Sequence, residues 1–231
     1  MAKLKVLSAG AVKGGVAKMT ETFARENGVT VDVEFTTAPG VRDRTTAGEQ
    51  ADVVVAPPSF LEDLVKGGRL VPDSRAFLGR SRMGVAVHKD SPIKAVPDTE
   101  SLKAMLLGAT AVVHNKASSG IYSAKLLEKL CPAVGLGSRV VVVESGANVM
   151  EYVAEHGPDA IGLAQISEIR VLVDKGMPVR LAGPLPDDVQ NVTSYEAAAV
   201  AGRDNEALAR KLAAFMATAD AKAVFAATGI D

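Results

Sequence analysis

Three short segments of the sequence combine small residues with hydroxyl-bearing ones, and each runs directly into a predicted helix. They span residues 8–15, 36–44 and 115–120. The first turn of a helix exposes unpaired N–H groups and a partial positive charge, and small side chains allow an anion to approach them. One such turn is explained equally well by tight chain reversal and helix capping. Three of them, each after a predicted strand, predict a binding site for a small anion.

Cationic and hydroxyl groups in these segments are the candidate ligands of such an anion. Arg42 lies nearer than Arg44 to the start of its predicted helix, and a guanidinium binds a carboxylate through two parallel hydrogen bonds. The alternative for Arg42 is a solvated ion pair with Asp43. Lys13 is a second candidate cation, at the start of the first helix. The ligand-binding residues predicted from the three segments are Gly10, Ala11, Lys13, Thr37, Ala38, Arg42, Ser118, Ser119 and Gly120.

Several titratable side chains follow predicted strands at positions from which they could move a proton. His114 ends a strand just before the third segment, which makes it a candidate to face the ligand. Glu144 and Glu168 follow later strands and could act as bases if they are partly buried.

The composition excludes several classes of function. The chain has 231 residues, with 26 basic and 27 acidic side chains and a net charge of -1, so no bulk basic field would attract nucleic acid. A single cysteine, Cys131, excludes an intramolecular disulfide and Cys–Cys metal motifs. We therefore expect a small anionic ligand as the partner, and no nucleic acid, no metal and no cofactor.

The hydropathy of the chain bears on its location. No apolar run reaches the roughly 18–20 residues of a membrane span, so we expect no membrane insertion. The N-terminal residues 1–7 lack the apolar core of about 7–15 residues that a secretory signal needs. The sequence therefore predicts a cytoplasmic protein. The alternative is a periplasmic protein whose signal peptide has been removed.

Short β-branched runs alternate with segments of helical periodicity along most of the chain. After a first strand, for example, apolar residues recur at helical spacing from Val12 to Phe23. A later helix is predicted to turn Ile121, Leu127 and Leu130 inward. This alternation predicts an α/β fold with parallel sheets and right-handed crossovers. The predicted strands span 4–7, 29–35, 52–56, 83–87, 111–113, 140–143, 160–163 and 192–200.

The pattern restarts after the third strand, which predicts two lobes. Lobe 1 comprises residues 1–80 together with 187–231, and lobe 2 comprises 81–186. The C-terminal part is too small to fold alone, so we expect it to pack on the first lobe. The chain would then cross between the lobes twice.

The order of these motifs resembles the type II periplasmic-binding-protein fold, and most closely the molybdate-binding proteins of ABC transporters. The resemblance covers almost the whole chain, and its motifs are weak singly but specific in order and spacing. It implies a two-lobed α/β fold with two crossovers and a ligand cleft between the lobes. The segments that carry it span 6–12, 35–41, 51–55, 117–122 and 159–165.

The departures from the molybdate-binding pattern indicate a different ligand. Family members hold the oxyanion with two serine hydroxyls and a tyrosine. Ala11, Ala38 and Gln165 stand at the three matching positions. Losing these donors would leave buried molybdate oxygens without hydrogen bonds, which costs roughly 1–3 kcal/mol of free energy for each oxygen. The resemblance therefore adds Gln165 to the predicted ligand-binding residues, and it implies a larger organic anion such as a di- or tricarboxylate.

Aconitate-isomerase-like proteins are similar to these binding proteins and shift a double bond in a tricarboxylate. That chemistry needs a base for an allylic proton, donors that hold the dienolate, and an acid that returns the proton. The predicted catalytic candidates are Lys13, His114 and Glu168. The alternative is the substrate-binding component of a molybdate- or oxyanion-type ABC transporter, whose permease is a partner only if the protein is exported. A third hypothesis, the effector domain of a transcription factor, lacks a helix-turn-helix before Lys3.

Overall fold

The computed structural model of the chain describes residues 2–132 and 135–231. They form strands β1 to β9 and helices α1 to α9. The strands are β1 (Lys3–Ala9), β2 (Thr30–Thr36), β3 (Val53–Ala56), β4 (Ala76–His88), β5 (Ala111–Asn115), β6 (Val140–Val143), β7 (Ala160–Gln165), β8 (Val179–Pro184) and β9 (Val192–Ala199). The helices are α1 (Lys13–Asn27), α2 (Ala38–Thr46), α3 (Pro58–Lys66), α4 (Thr99–Gly108), α5 (Ser118–Leu130), α6 (Gly146–His156), α7 (Ile166–Asp174), α8 (Glu206–Phe215) and α9 (Ala219–Ala227).

The chain divides into two compact units. Unit 1 comprises Met1–Ser81 and Thr193–Asp231, and unit 2 comprises Arg82–Val192. The sequence predicts divisions after residues 80 and 186, so the second predicted division falls too early. The reason is Gln190, whose side chain accepts from the backbone N–H of Met83 at 2.8 Å and donates to the carbonyl of Leu185 at 2.9 Å. These bonds hold the connecting segment within unit 2.

In unit 1, three parallel strands lie in the order β2-β1-β3, and β9 runs antiparallel beside β3. The right-handed crossovers place the carboxyl ends of the three parallel strands at one edge of the sheet, where α1, α2 and α3 begin. Val16, Met19 and Phe23 on α1 are buried as their spacing predicts, and they pack with α8 and α9 on one face of the sheet. Leu61 and Leu64 of α3 pack on the other face.

In unit 2, β5 lies between β6 and β7 and runs parallel to both, while β4 pairs antiparallel with β7 and with β8. The carboxyl ends of β5, β6 and β7 therefore share one edge, where α5, α6 and α7 begin. One apolar cluster packs α4 and α5 against this sheet, and another packs α6 and α7. Helix α4 is capped by Asp98, whose carboxylate accepts from the backbone N–H of Ser101 at 2.7 Å.

Three details of unit 2 differ from the prediction. Ile121 is exposed over 54% of its surface rather than inward, because the buried face of α5 is set by Leu126, Leu127 and Leu130. Strand β4 has 13 residues instead of the predicted five, since Gly79 and charged residues interrupt its apolar pattern. Helix α7 and strand β8 are not predicted at all, because β-branched residues in α7 and a Gly-Pro end in β8 mask their periodicity. Within the described ranges, no helix is long and apolar enough to cross a membrane.

Candidate functional site

The turn after β1 brings the first predicted segment against the second. Residues Gly10–Val12 form a single 3-10 turn that leads into α1 at Lys13. A Cβ placed on Gly10 would lie 3.6 Å from the carbonyl oxygen of Thr36, so the turns after β1 and β2 are in contact distance. Ala11 is half-buried and offers no side-chain donor. The only hydroxyl nearby on β1, that of Ser8, is buried and donates to the carbonyl of Ala9 at 3.1 Å.

The turn after β2 is closed by a helix cap. The Thr37 hydroxyl accepts from the backbone N–H of Gly40 at 3.1 Å, which satisfies one free donor of α2. Its own hydrogen stays available to donate to an anion. A Cβ on Gly40 would lie 2.6 Å from the Thr36 hydroxyl oxygen, so only glycine fits without displacing that hydroxyl. Ala38, also predicted to bind the ligand, is buried at the start of α2.

Lys13 and Arg42 each stack on a phenylalanine ring in unit 1. The Lys13 ammonium lies 5.2 Å from the centroid of Phe35, and the Arg42 guanidinium lies 5.1 Å from that of Phe60. Arg42 also pairs with Asp43 at 2.8 Å, the ion pair that the sequence left open as its alternative role. Both partners of that pair are exposed, so a ligand carboxylate could replace Asp43 at little cost.

Asn115 organises the turn after β5, and the sequence analysis did not single it out. Its side-chain oxygen accepts from the backbone N–H of Ala117 at 2.9 Å, and its amide donates to the Ser119 hydroxyl at 3.3 Å. A Cβ on Gly120 would overlap the carbonyl oxygen of Asn115, so only glycine fits there. The signal in the sequence is the Asn two residues before the helix cap, which is typical of an Asx turn. His114, the last candidate here, is buried with its Nδ1 3.1 Å from the Asn115 carbonyl oxygen.

The first turn of α5 is open at its N-terminus. No side chain caps this helix, and its first backbone hydrogen bond runs from Ile121 to the carbonyl of Ala117. The N–H groups of the residues between them therefore point out of the helix end. The Ser118 hydroxyl oxygen lies there too, buried and without a hydrogen-bond partner in the described structure. Buried hydroxyls are nearly always paired, so this hydroxyl is a candidate donor to a bound anion.

The turn after β7 carries Gln165 and Glu168. Gln165 is buried at the end of the strand, and its backbone N–H donates to the Glu168 carboxylate three residues on. This is half of a capping box at the start of α7. The same carboxyl packs directly on Gly146, the first residue of α6, where a Cβ would overlap it. Glu168 thus joins the first turns of two helices.

The Glu168 carboxyl is largely shielded from solvent. Part of the residue reaches the surface, but the Oε2 atom is fully buried and has no hydrogen-bond partner within the described structure. Burial raises the pKa of Glu168 to about 7, and the hydrogen bond from Gln165 opposes only part of that rise. A carboxyl group with a pKa near neutrality can exchange a proton under physiological conditions.

Glu144, the remaining titratable candidate, lies apart from Glu168. It is exposed between β6 and α6 and forms an ion pair with Lys116 of the turn after β5. Such an exposed pair ties two neighbouring turns but contributes little stability. The structure thus gathers the predicted residues of unit 1 at the ends of β1 and β2, and those of unit 2 at the ends of β5 and β7. Among the described residues, no group of three or more His, Cys, Asp or Glu side chains could hold a metal ion.

Comparison with known proteins places this architecture in a family. The family model of the bacterial extracellular solute-binding proteins matches residues 4–231. The chain belongs to this family. The predicted resemblance to type II periplasmic binding proteins is therefore confirmed, and the chain is a solute-binding protein.

Individual relatives and solved structures agree with this assignment. The aconitate isomerase of a Pseudomonas species is 27% identical over 235 aligned residues, which cover 98% of this chain and 87% of the relative. The periplasmic molybdate-binding protein of Azotobacter vinelandii has a TM-score of 0.82 at 19% identity, covering 99% of this chain and 98% of that one. The sulfate-binding protein of Mycobacterium tuberculosis has a TM-score of 0.78 at 17% identity, and the alignment covers 100% of this chain and 86% of that one. These structures confirm the two-lobed α/β fold.

Proposed function

We propose that this solute-binding protein binds a small organic anion with two or three carboxylates and isomerises its carbon–carbon double bond. The observation that carries the proposal is the first turn of α5. It combines outward-pointing N–H groups with the buried, unpartnered hydroxyl of Ser118. A carboxylate seated on this turn would satisfy both kinds of donor at once.

The residues present favour a carboxylate over a tetrahedral oxyanion. Ala11 and Ala38 supply no hydroxyl where the molybdate-binding pattern has serines. An oxyanion at these turns would keep Thr37 as a hydroxyl donor but would lack those two hydrogen bonds. In unit 1, Lys13 and Arg42 are cations suited to carboxylates, and the planar fork of Arg42 matches a carboxylate in particular. The 27% identity with an aconitate isomerase over nearly the whole chain supports the same ligand class.

The isomerisation requires one proton to leave and one to return. A base takes an allylic proton, the C–H electron pair shifts into a dienolate stabilised by the adjoining carboxylate, and an acid protonates the other carbon, which moves the double bond. Lys13 is exposed and has no carboxylate partner among the described residues, which leaves its ammonium accessible. Glu168 and His114 are enclosed, so each would need direct access to the ligand to act as the carrier.

Proton NMR in D₂O tests the proposal directly. The purified protein is incubated with cis-aconitate and with trans-aconitate, and we expect growth of the other isomer together with deuterium entering the methylene position. The Ser118→Ala variant should bind either acid about tenfold more weakly, since it loses one buried hydrogen bond to a charged group. Ser138→Ala removes an exposed hydroxyl elsewhere in unit 2 and serves as the matched control.

The variants of unit 1 separate binding from catalysis. Lys13→Ala should abolish turnover while ligand-induced line broadening persists, if lysine carries the proton. Arg42→Ala should weaken carboxylate binding; unchanged affinity would remove Arg42 from the site. Spectra without isomerisation, deuterium uptake or broadening would contradict the proposed function as a whole.

A second candidate function is that of the binding component of an ABC transporter for an inorganic oxyanion. The observation in its favour is the fold shared with periplasmic molybdate- and sulfate-binding proteins. Calorimetric binding of molybdate or sulfate, with no response to either aconitate, would establish it.

The family also bears on location. Its members are described as extracellular, and the molybdate-binding neighbour is periplasmic. We therefore propose an exported protein, in place of the cytoplasmic location expected from residues 1–7. For a transporter component, this location would make a membrane permease the natural partner. Fractionation of cells that express the full-length gene, with detection in the periplasmic or in the cytoplasmic fraction, decides between the two locations.

A further inference from the structure

Unit 1 contains an open pocket at the edge of its sheet opposite the turns described above. It lies where β3 begins and β9 ends, and its volume is about 220 Å³. A single ordered water needs only about 10–15 Å³, so the pocket can hold a polyatomic ion with its hydration. Three lining glycines, Gly48, Gly68 and Gly202, have positive φ angles between 68° and 86°. They keep side chains out of the pocket at three of its turns.

The walls of this pocket are fixed by backbone hydrogen bonds. The N–H of Ala201 donates to the carbonyl of Arg69 at 2.9 Å, and the N–H of Val200 donates to the carbonyl of Asp52 at 2.8 Å. These bonds join the loops after α2, α3 and β9. A ligand would therefore meet a preformed pocket and would not have to order its walls.

Two guanidinium groups line the pocket, and their donors are only partly used. Arg203 donates to the Gln50 side chain and lies 3.4 Å from the Asp52 carboxylate. Arg69 makes one long hydrogen bond, at 3.4 Å, to the carbonyl of Thr46. It has no carboxylate partner in the part of the chain that the structure describes. Each guanidinium has five N–H donors, so most of them remain free.

One cation that lines the pocket, Arg69, has no carboxylate partner among the described residues. Glu49 also lines the pocket, but Arg44 and Lys5 bind both of its carboxylate oxygens. The hydrogen bonds from Arg44, the largest cause, lower the pKa of Glu49 to about 2, so it stays ionised and paired. Lys5 and Arg44 offset Glu34 and Glu49, and Arg203 offsets Asp52. The Glu206 carboxylate accepts from the backbone N–H of Gly202 at 3.2 Å and pairs with Arg210. Arg69 is thus the lining guanidinium that no carboxylate binds in the described structure.

We propose that this pocket binds a small oxyanion of the inorganic phosphate type, held between the guanidinium groups of Arg69 and Arg203. Guanidinium forks match tetrahedral and planar oxyanions through paired charge-assisted hydrogen bonds. The proposal does not depend on the proposed function, because all of its residues lie at the opposite edge of the unit 1 sheet from Lys13, Thr37 and Arg42.

Titration with inorganic phosphate, followed by ¹H–¹⁵N correlation NMR, tests the pocket residue by residue. The amide signals of Gly48, Gly68 and Gly202 report on its three turns. We expect them to shift with phosphate beyond the effect of sodium chloride at matched ionic strength. In Arg69→Gln, which changes an exposed side chain, the phosphate affinity should fall about tenfold or more.

Arg25→Gln is the matched control, because it removes the same charge from an exposed position of α1 in the same unit. It should leave the phosphate response of the three glycine amides unchanged. Two results would overturn the proposal: glycine amides that respond to phosphate no more than to chloride, or equal phosphate affinity in Arg69→Gln and Arg25→Gln. Phosphate shifts confined to the turns after β1 and β2 would also overturn it, since they would place the ion at the other edge.

Discussion

Glu168 shows how a single buried carboxyl can couple the stability of unit 2 to pH. Its carboxyl lies on Gly146 at the start of α6 and bonds the backbone of Gln165 at the start of α7. Desolvation by burial is the only cause that raises its pKa, and no charged group on α6, α7 or the strands contributes to the shift. The two helix N-termini favour the ionised form, but desolvation outweighs them.

A substitution of Glu168 by glutamine should change how stability depends on pH. The pKa of Glu168 is about 7 in the folded protein against an ordinary 4.5, so ionisation disfavours the folded state. The stabilising effect of the neutral form is complete below pH 4.5 and is lost as pH rises through 7. The loss corresponds to about 3 kcal/mol of unfolding free energy. Relative to the native protein, the stability of Glu168→Gln in urea unfolding should therefore rise as pH increases from 4.5 to about 7 and stay constant above that.

The control for this prediction is Glu128→Gln, an exposed carboxyl on α5 in the same unit. Its stability difference from the native protein should stay nearly constant over the same range of pH. A constant difference for Glu168→Gln as well would show that Glu168 is ionised normally in the folded protein.

The sequence predicts the residue types at the site, but it does not predict which of these residues contact each other. The hydroxyls and glycine at 118–120 stand out by composition and by their place after a strand. The contact between Glu168 and Gly146 joins two turns that are distant in sequence, and no local sequence pattern predicts it. The pocket of Arg69 and Arg203 was missed for the same reason, since it depends on the antiparallel placement of β9 beside β3.

At the scale of elements, α5 depends on one residue for its position. Gly120 lies against the carbonyl of Asn115, so the helix begins closer to the end of β5 than any side chain would permit. Gly120→Ala should displace the first turn, cost about 1–3 kcal/mol of unfolding free energy, and weaken carboxylate binding. Urea unfolding and calorimetric titration with trans-aconitate measure the two effects.

Gly108→Ala is the comparison for Gly120→Ala. Gly108 ends α4 with ordinary backbone angles and has no atom near the position of an added Cβ. Its replacement should leave stability equal or slightly higher, because alanine reduces the entropy of the unfolded chain. Equal stability and affinity in both variants would show that α5 does not need the close approach.

The elements that the sequence predicted well are those with one clear period. Helix α1 follows from apolar spacing because it buries one face. Strands β1, β3 and β7 follow from continuous apolar runs, because each strand is packed on both faces. Helix α7 was missed because Val171 and Val173 look like strand residues, and the tertiary packing of Ile169 against α6 outweighs that preference. Strand β4 was shortened because the exposed Arg80 and Arg82 interrupt its apolar pattern.

At the scale of the whole molecule, family membership shows that the ligand is a solute, but it does not show the chemical class of that solute. The chain is less than 20% identical to the molybdate- and sulfate-binding structures, which therefore show its fold alone. Superfolds host many unrelated functions, so the donors that are present must decide the ligand. In unit 2 the donors are the N–H groups of the first turn of α5 and the Ser118 hydroxyl. In unit 1 they are Thr37, Lys13 and Arg42, while Ala11 and Ala38 lack the hydroxyls of the tetrahedral-oxyanion pattern.

The choice between carboxylate and oxyanion can be measured through the stability of the entire chain. A ligand that binds only the folded protein raises its stability by about 2.7 kcal/mol at a concentration of 100 times Kd. For a chain of 231 residues, that gain raises the melting temperature by roughly 5–10 °C. We expect cis- or trans-aconitate to produce such a rise in differential scanning calorimetry, and Ser118→Ala to reduce it at the same concentration. In the Arg69→Gln variant, which weakens the proposed oxyanion pocket at the other edge of unit 1, molybdate and sulfate should leave the melting temperature within the range seen with matched chloride. A rise with molybdate alone in Arg69→Gln, lost when Ser118→Ala is added, would favour the transporter component over the isomerase, because it would place a tetrahedral ion on the first turn of α5.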